Sequence, residues 1–255
     1  MASSRKFSLE GKIAFVSGAS KGIGVAIAEA FANSGADLAL TARNAGELEQ
    51  TADSARKTGS KVWTKTAEMA DTDQVKSLGE ATLAEFGRVD ILVNNAGVTI
   101  PQTILETEIE NFHTIMNVNV LAPLLLTQMF APGMIERGRG KIVNLSSRAA
   151  IRAFPTGGSY SASKSALQLL TQTMAVEFGP HNIQANCVAP TVTMTPMGNS
   201  AWPPSPRRDT KLSRIPTGRF AEPEEVANTV LFLASSQSDF ISGVELSVDG
   251  GEGAG

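Results

Sequence analysis

Apolar residues fall along this chain in short runs separated by longer amphipathic stretches. Lys12-Ile13-Ala14-Phe15-Val16-Ser17 is the first run, of the kind expected for a strand buried on both faces. Asp37 to Arg43, Lys61 to Thr66, Val89 to Val93, Lys141 to Ser147, Asn182 to Ala189 and Ser242 to Gly251 read as further strands. Between them lie helical patterns at Val25 to Phe31, Ala45 to Thr58, Thr72 to Phe86, 107–137, 158–179 and Glu222 to Ala234, with Thr72 a candidate cap. Strands alternating with helices predict a parallel sheet with helices on both faces, a single doubly wound, Rossmann-like α/β domain over residues 1–255. One segment breaks the pattern. Residues 196–214 hold four prolines, Trp202 and three arginines, which predicts an irregular loop at about 190–215 with at most a short helix.

Composition narrows the picture without changing it. Hydrophobic residues make up 42% of the chain, enough for a sizeable core, and no repeat or low-complexity linker divides it. A net charge of −3 gives no basic footprint for nucleic acid or a membrane surface. Met1 to Phe7 lacks the apolar run of a secretory signal, and no run of transmembrane length stands out, so a soluble, cytoplasmic protein is expected. Cys187 is the sole cysteine; it excludes an intrachain disulfide and reads as a buried small residue. His113 and His181 lack metal-ligand spacing, and no metal is expected.

Two stretches carry candidate chemistry. Gly18-Ala19-Ser20-Lys21-Gly22-Ile23-Gly24 joins the first strand to the first helix. There Gly18 permits a tight turn, Gly22 a close approach to a pyrophosphate, and Gly24 tight helix–strand packing, with the phosphates at the helix N-terminus. The second strand ends Thr41-Ala42-Arg43-Asn44, without the carboxylate that bonds a ribose 2′-hydroxyl. Arg43 and Lys21 instead suit a 2′-phosphate, which points to NADP(H). The other stretch is Ser159-Tyr160-Ser161-Ala162-Ser163-Lys164, which holds the only tyrosine. Four residues apart on a helix, Tyr160 and Lys164 share a face. A neighbouring cation favours the phenolate and draws the tyrosine pKa from about 10 toward neutrality, where it can exchange a proton with a carbonyl or alcohol.

Ser17-Gly18-x-x-x-Gly22-Ile23-Gly24, Asn94-Asn95-Ala96-Gly97, Tyr160-x-x-x-Lys164 and the closing Asp249-Gly250-Gly251 together resemble the short-chain dehydrogenase/reductase family over about residues 10 to 251. The resemblance implies a ketone–alcohol oxidoreductase. It implies Ser147, thirteen residues before the tyrosine, as the catalytic serine beside Ser146, and Asn119 in Val118-Asn119-Val120, near Asn117, as the catalytic asparagine that holds a water linking Lys164 to solvent. It assigns Ser20, Ile23, Glu68, Met69, Asn95, Ala96, Gly97, Pro190, Thr193 and Thr195 to the cofactor, with Tyr160 and Lys164 touching it too. It makes 190–215 a substrate-covering loop and implies a homotetramer. Ser17 stands where the family usually has Thr, and Glu68-Met69 where it has Asp-Val. Gly179-Pro180-His181-Asn182-Ile183 and the segment from Pro190 to Gly198, with Trp202 beyond, look most like the L-xylulose/dicarbonyl reductases, implying a small polyhydroxy ketone or α-dicarbonyl. Arg148, directly after the serine, could with Arg152 select an acidic keto substrate, or both could face solvent. The rivals are a 3-oxoacyl reductase and, from another class, a catalytically silent NADP-sensing regulator, which would usually have lost Tyr160 or Lys164.

Overall fold

The computed structural model describes residues 7–254. Among these, seven strands form one parallel sheet: β1 (Ile13–Ser17), β2 (Asp37–Ala42), β3 (Val62–Thr66), β4 (Ile91–Asn94), β5 (Gly140–Leu145), β6 (Ile183–Pro190) and β7 (Glu245–Val248), in the order β3-β2-β1-β4-β5-β6-β7. The chain reverses its direction of growth between β1 and β4, the place where such sheets open a crevice. The register sets Val16 beside Leu40 and Val93, and continues across β5 with Val93 beside Val143.

Side chains leave a strand on alternate faces, so each strand feeds two cores. Val16, Leu38, Leu40, Val93 and Val143 pack with Ile27 and Phe31 of α1 (Ile23–Asn33) and with Val226 and Val230 of α9 (Pro223–Ala234). Phe15, Leu92 and Ile142 face the other way. They meet Leu78 of α3 (Thr72–Phe86) and Leu126 and Phe130 of α5 (Ala122–Arg137), with the Phe15 and Phe130 rings 5.2 Å apart. The α3 cap is Asp71, which accepts the Asp73 and Gln74 amides; Thr72 is already helical. A carboxylate one position earlier caps better than a threonine inside the first turn.

α4 (Ile109–Met116), a π-helical turn at Asn117–Leu121 and α5 form one helical run over Ile109–Arg137. An 18-residue window of this run has a mean hydropathy of 1.5, so by length and composition alone it is apolar enough to cross a membrane, although polar residues such as Asn117, Asn119 and Gln128 interrupt it. The apolarity has a local use: Val118, Ala122, Leu126, Phe130 and Met134 are buried against the sheet. The remaining helices are α2 (Ala45–Arg56), α6 (Gly158–Phe178), α7 (Pro196–Ala201) and α8 (Pro206–Leu212). The last two, with no buried residues, form the segment expected to be mostly loop. Proline at the first or second position of each fits a helix start, because its missing N–H has no partner there. β6 is buried along its whole length, whereas β7 is an edge strand with Leu246 and Ser247 exposed.

Candidate active site

The predicted residues gather at the C-terminal ends of β1, β4, β5 and β6. The glycine turn has the backbone its sequence demands. Gly18 has φ of 67° and Gly22 of 56°, where a side chain is strained, and a Cβ on Gly18 would stand 2.9 Å from the Ala96 Cα. α1 starts at Gly22 with no side-chain cap and no acidic residue in its first turn, unlike α2, capped by Asn44. Free N–H groups at an uncapped, carboxylate-free helix start fit an anion supplied from outside, so this turn fits a dinucleotide pyrophosphate. Ser17 ties the turn to the next strand: its hydroxyl accepts the Asn95 and Ala96 amides at 3.1 and 3.0 Å. Asn95 in return donates to the carbonyls of Ser17 and Gly18, at 2.9 and 3.0 Å. Asn94 donates to Asn144 across β4 and β5 at 2.8 Å.

The cations at the far end of this crevice are both paired. Arg43, 69% exposed in its side chain, lies 3.7 Å from Glu68, and Lys21 lies 2.8 Å from Glu47. Glu68 also curls back to accept the Ala70 amide, and Met69 is buried. Pro190 ends β6, and beyond it Thr193 is buried while Thr195 caps α7. A Cβ on Gly22 would stand 2.7 Å from the Thr195 side chain, so the segment after β6 reaches back over the glycine turn.

The two neighbouring pairs, Ser146 with Ser147 and Asn117 with Asn119, turn to different partners. Ser146 donates to Glu245, away from the crevice, whereas the Ser147 hydroxyl acts on the Tyr160 phenol and favours its ionised form. Ser147 Oγ also accepts the Ala149 amide, which leaves its proton free to donate. Asn117 donates to the Ala70 carbonyl, whereas Asn119, fully buried in the π-helical turn, exchanges bonds with both backbone groups of Val98 and donates to Ser163 at 2.9 Å. Ser163 in turn donates to the Tyr160 carbonyl at 2.7 Å, a brace between the two helices that sequence reasoning missed. Its only signal was its place one residue before Lys164. Gly97 lies between Asn119 and Lys164: a Cβ there would stand 3.5 Å from the Asn119 Oδ1 and 3.3 Å from the Lys164 Nζ.

Lys164 is 3% exposed and donates to the Leu145 carbonyl at 2.6 Å. Its Nζ stands 5.8 Å from the centre of the Tyr160 ring. Burial lowers the Lys164 pKa from 10.5 to about 8. For half-buried Tyr160, burial pushes the phenol above 10.0, and the Ser147 hydrogen bond only partly opposes this. The expected drop toward neutrality is therefore absent: desolvation outweighs a cation nearly 6 Å from the ring that is engaged with Leu145. A protonated phenol suits a proton donor.

The lysine value has a testable consequence. Between pH 8 and 10.5 the unfolded chain binds a proton at this position that the folded protein has released. Stability therefore rises with pH across that window, and below it the full penalty of burying the charge applies. One pKa unit corresponds to about 1.4 kcal/mol, so the penalty is about 3 kcal/mol. Denaturation of the nucleotide-free protein and of Lys164→Met, followed from pH 7 to 10.5, should show wild type gaining on the variant. A constant difference would contradict the burial of a charged lysine.

Three residues expected to face substrate are engaged within the protein. Arg148, 14% exposed in its side chain, lies 3.1 Å from Asp249 and donates to Ser247 at 2.8 Å. Its guanidinium thus offers an acidic substrate little free charge. Arg152 is half exposed and stands 4.0 Å from Glu252. Trp202 packs on Phe220 and lies under the Arg207 guanidinium, at 4.4 Å.

A family model described as enoyl-(acyl carrier protein) reductase matches residues 18–252. L-xylulose reductase of Bos taurus is 42% identical over 95% of this chain and 97% of its own length. The 3-oxoacyl-(acyl-carrier-protein) reductase FabG of Thermotoga maritima is 39% identical over 95% and 98%. Among solved structures, gluconate 5-dehydrogenase of Burkholderia cenocepacia, in complex with NADP and tartrate, superposes with a TM-score of 0.91 at 33% identity, covering 98% of each chain.

Proposed function

The chain belongs to the short-chain dehydrogenase/reductase family, oxidoreductases of alcohol and carbonyl groups, and we propose that it is an NADP(H)-dependent enzyme that interconverts a small ketone and a secondary alcohol. The observation that carries this reading is the grouping of the Ser147 hydroxyl, the Tyr160 phenol and the buried Lys164 ammonium in one place. The nucleotide supplies the hydride. Gly18, Gly22 and Gly24 with the start of α1 would hold its pyrophosphate, and Arg43 and Lys21 its 2′-phosphate. Ser20, Ile23, Glu68, Met69, Asn95, Ala96 and Gly97 would line the remainder, with Pro190, Thr193 and Thr195 at the nicotinamide end.

In reduction, the carbonyl oxygen gains negative charge as its carbon is reduced. Tyr160 gives that oxygen its proton. Ser147 donates a hydrogen bond to it, a role usually worth about 3–4 kcal/mol. Lys164, held by the Leu145 carbonyl, supplies positive potential to the phenolate left behind, and Asn119 begins the path that returns the proton from solvent. Oxidation reverses these steps.

The substrate we propose is a small carbonyl compound, a ketose or an α-dicarbonyl, on the support of the xylulose reductase relative. A 3-oxoacyl thioester is the second reading, favoured by the carrier-protein reductase relative. Diacetyl, L-xylulose, a keto acid and an acetoacetyl thioester, each offered with NADPH and with NADH, separate these. Turnover of the first two with NADPH supports the proposal; turnover of the thioester alone overturns its substrate, and NADH alone its cofactor. We place the enzyme in the cytoplasm, a placement that cell fractionation checks. We further take it to be a homotetramer. Exposed Leu169 and Val176 on α6, and Phe240, Val244 and Leu246 around the β7 edge, support two apolar contact faces. Light scattering should give four times the chain mass, and a monomer would rule this out.

A further inference from the structure

The cover formed by α7 and α8 buries none of its own residues, and helices of six and seven residues are not stable alone. Something else must fix it in place. A buried carboxylate, Glu252, reaches it from the turn that follows β7. Glu252 is 4% exposed. It accepts the Lys211 ammonium of α8 and the Thr191 hydroxyl, each at 2.5 Å, and Arg152 stands 4.0 Å away. Burial works against its charge, yet Lys211, Thr191 and Arg152 together hold its carboxyl below the usual range.

The three partners lie on different sides of the candidate site. Lys211 belongs to the cover. Thr191 opens the segment that runs through Thr193 to Thr195, beside Gly22. Arg152 lies in the loop between Ser147 and Tyr160. The turn carrying Glu252 is itself braced, because Asp249 accepts the Gly251 and Gly253 amides at 3.1 and 3.0 Å and pairs with Arg148. One carboxylate on a braced turn thus bonds both the cover and the strand exit beneath it.

We infer that Glu252 is a positioning residue: its bonds to Lys211 and Thr191 hold the cover down against the segment that follows β6 and so set how tightly a substrate is enclosed over Tyr160. The enclosure role rests on the carbonyl–alcohol function proposed above; the tie itself does not. Glu252→Gln keeps the shape and can still accept the Thr191 hydroxyl, so it isolates the ionic tie. Lys211→Met removes the same tie from the other side.

The test is limited trypsin digestion of the full chain, with cleavage after Arg207 and Arg208 followed by mass spectrometry. Both variants should be cut there about tenfold faster than wild type, an effect between those of an exposed and a fully buried pair. The double variant should be cut no faster than either, because one interaction can be lost only once. Steady-state kinetics should show KM for the carbonyl substrate rising about tenfold with kcat changing far less. Cleavage at the wild-type rate, effects that multiply in the double variant, or equal acceleration after Arg56 and Lys57 in the distant α2 region would each overturn the inference. A wild-type protein that turns over no carbonyl would defeat the functional reading, while the digestion still decides whether the tie exists.

Discussion

Tyr160→Phe should lower kcat about a thousandfold, within the range for losing a general acid, and leave NADPH affinity unchanged. The substitution removes one oxygen and keeps the ring. The ring stays in its place on α6, with the Lys164 ammonium 5.8 Å from its centre. The glycine turn that would hold the pyrophosphate is built from β1, β4 and α1 and makes no use of the phenol. Nucleotide binding by fluorescence titration and turnover by absorbance therefore separate. A variant with undiminished turnover would remove Tyr160 from the chemistry. Loss of binding together with turnover would mean that the ring serves structure first. Because burial already keeps the phenol protonated well past neutrality, wild-type reduction should not need alkaline conditions.

Arg43→Asp should weaken NADPH binding about a hundredfold and leave NADH binding equal or better. Two charge-assisted hydrogen bonds to a phosphate, at about 1.5 kcal/mol each, already reach that factor. The variant also places a carboxylate where the ribose of NADH can use it. Surrounding charges sharpen the effect. Arg43 stands 3.7 Å from Glu68, and the second cation, Lys21, is paired with Glu47 at 2.8 Å. Without Arg43, those carboxylates repel the 2′-phosphate with less opposition. Dissociation constants for the two nucleotides give the ratio directly, and an unchanged ratio would sink the assignment of Arg43.

The central strands were legible because strands buried on two faces must be nearly all apolar, and the helices between them are longer and carry polar residues at helical spacing. The site residues were legible as motifs because glycines with positive φ, paired asparagines and a Tyr–Lys spacing each answer a local geometric need. Pairings between distant segments were not legible. Nothing in the glycine-rich stretch after Asp249 signals that Glu252 meets Lys211, and nothing beside Arg148 signals that it meets Asp249. Arg43 and Lys21 read as free cations until their partners, Glu68 and Glu47, are seen. The phenol of Tyr160 shows the same limit. Spacing put a cation near it, but the balance between that cation and desolvation is a property of the packed protein. Residues 196–214 read as a loop with at most a short helix because prolines suggest a loop, when Pro196 and Pro206 each in fact begin a helix.

The strand order has a consequence for synthesis on the ribosome. After β4, the strands join the sheet in the order in which they are translated, each at the same growing edge. β7 is therefore the last to dock, and until it does, all eight residues of β6 form that edge. Ala185 and Cys187, whose backbone groups bond Ser242, Gly243 and Val244 in the finished protein, then present open backbone groups to any neighbouring chain. A ribosome stalled before residue 245 holds a nearly complete protein whose stickiest strand is bare, so late pauses in translation carry the greatest risk of aggregation for this chain.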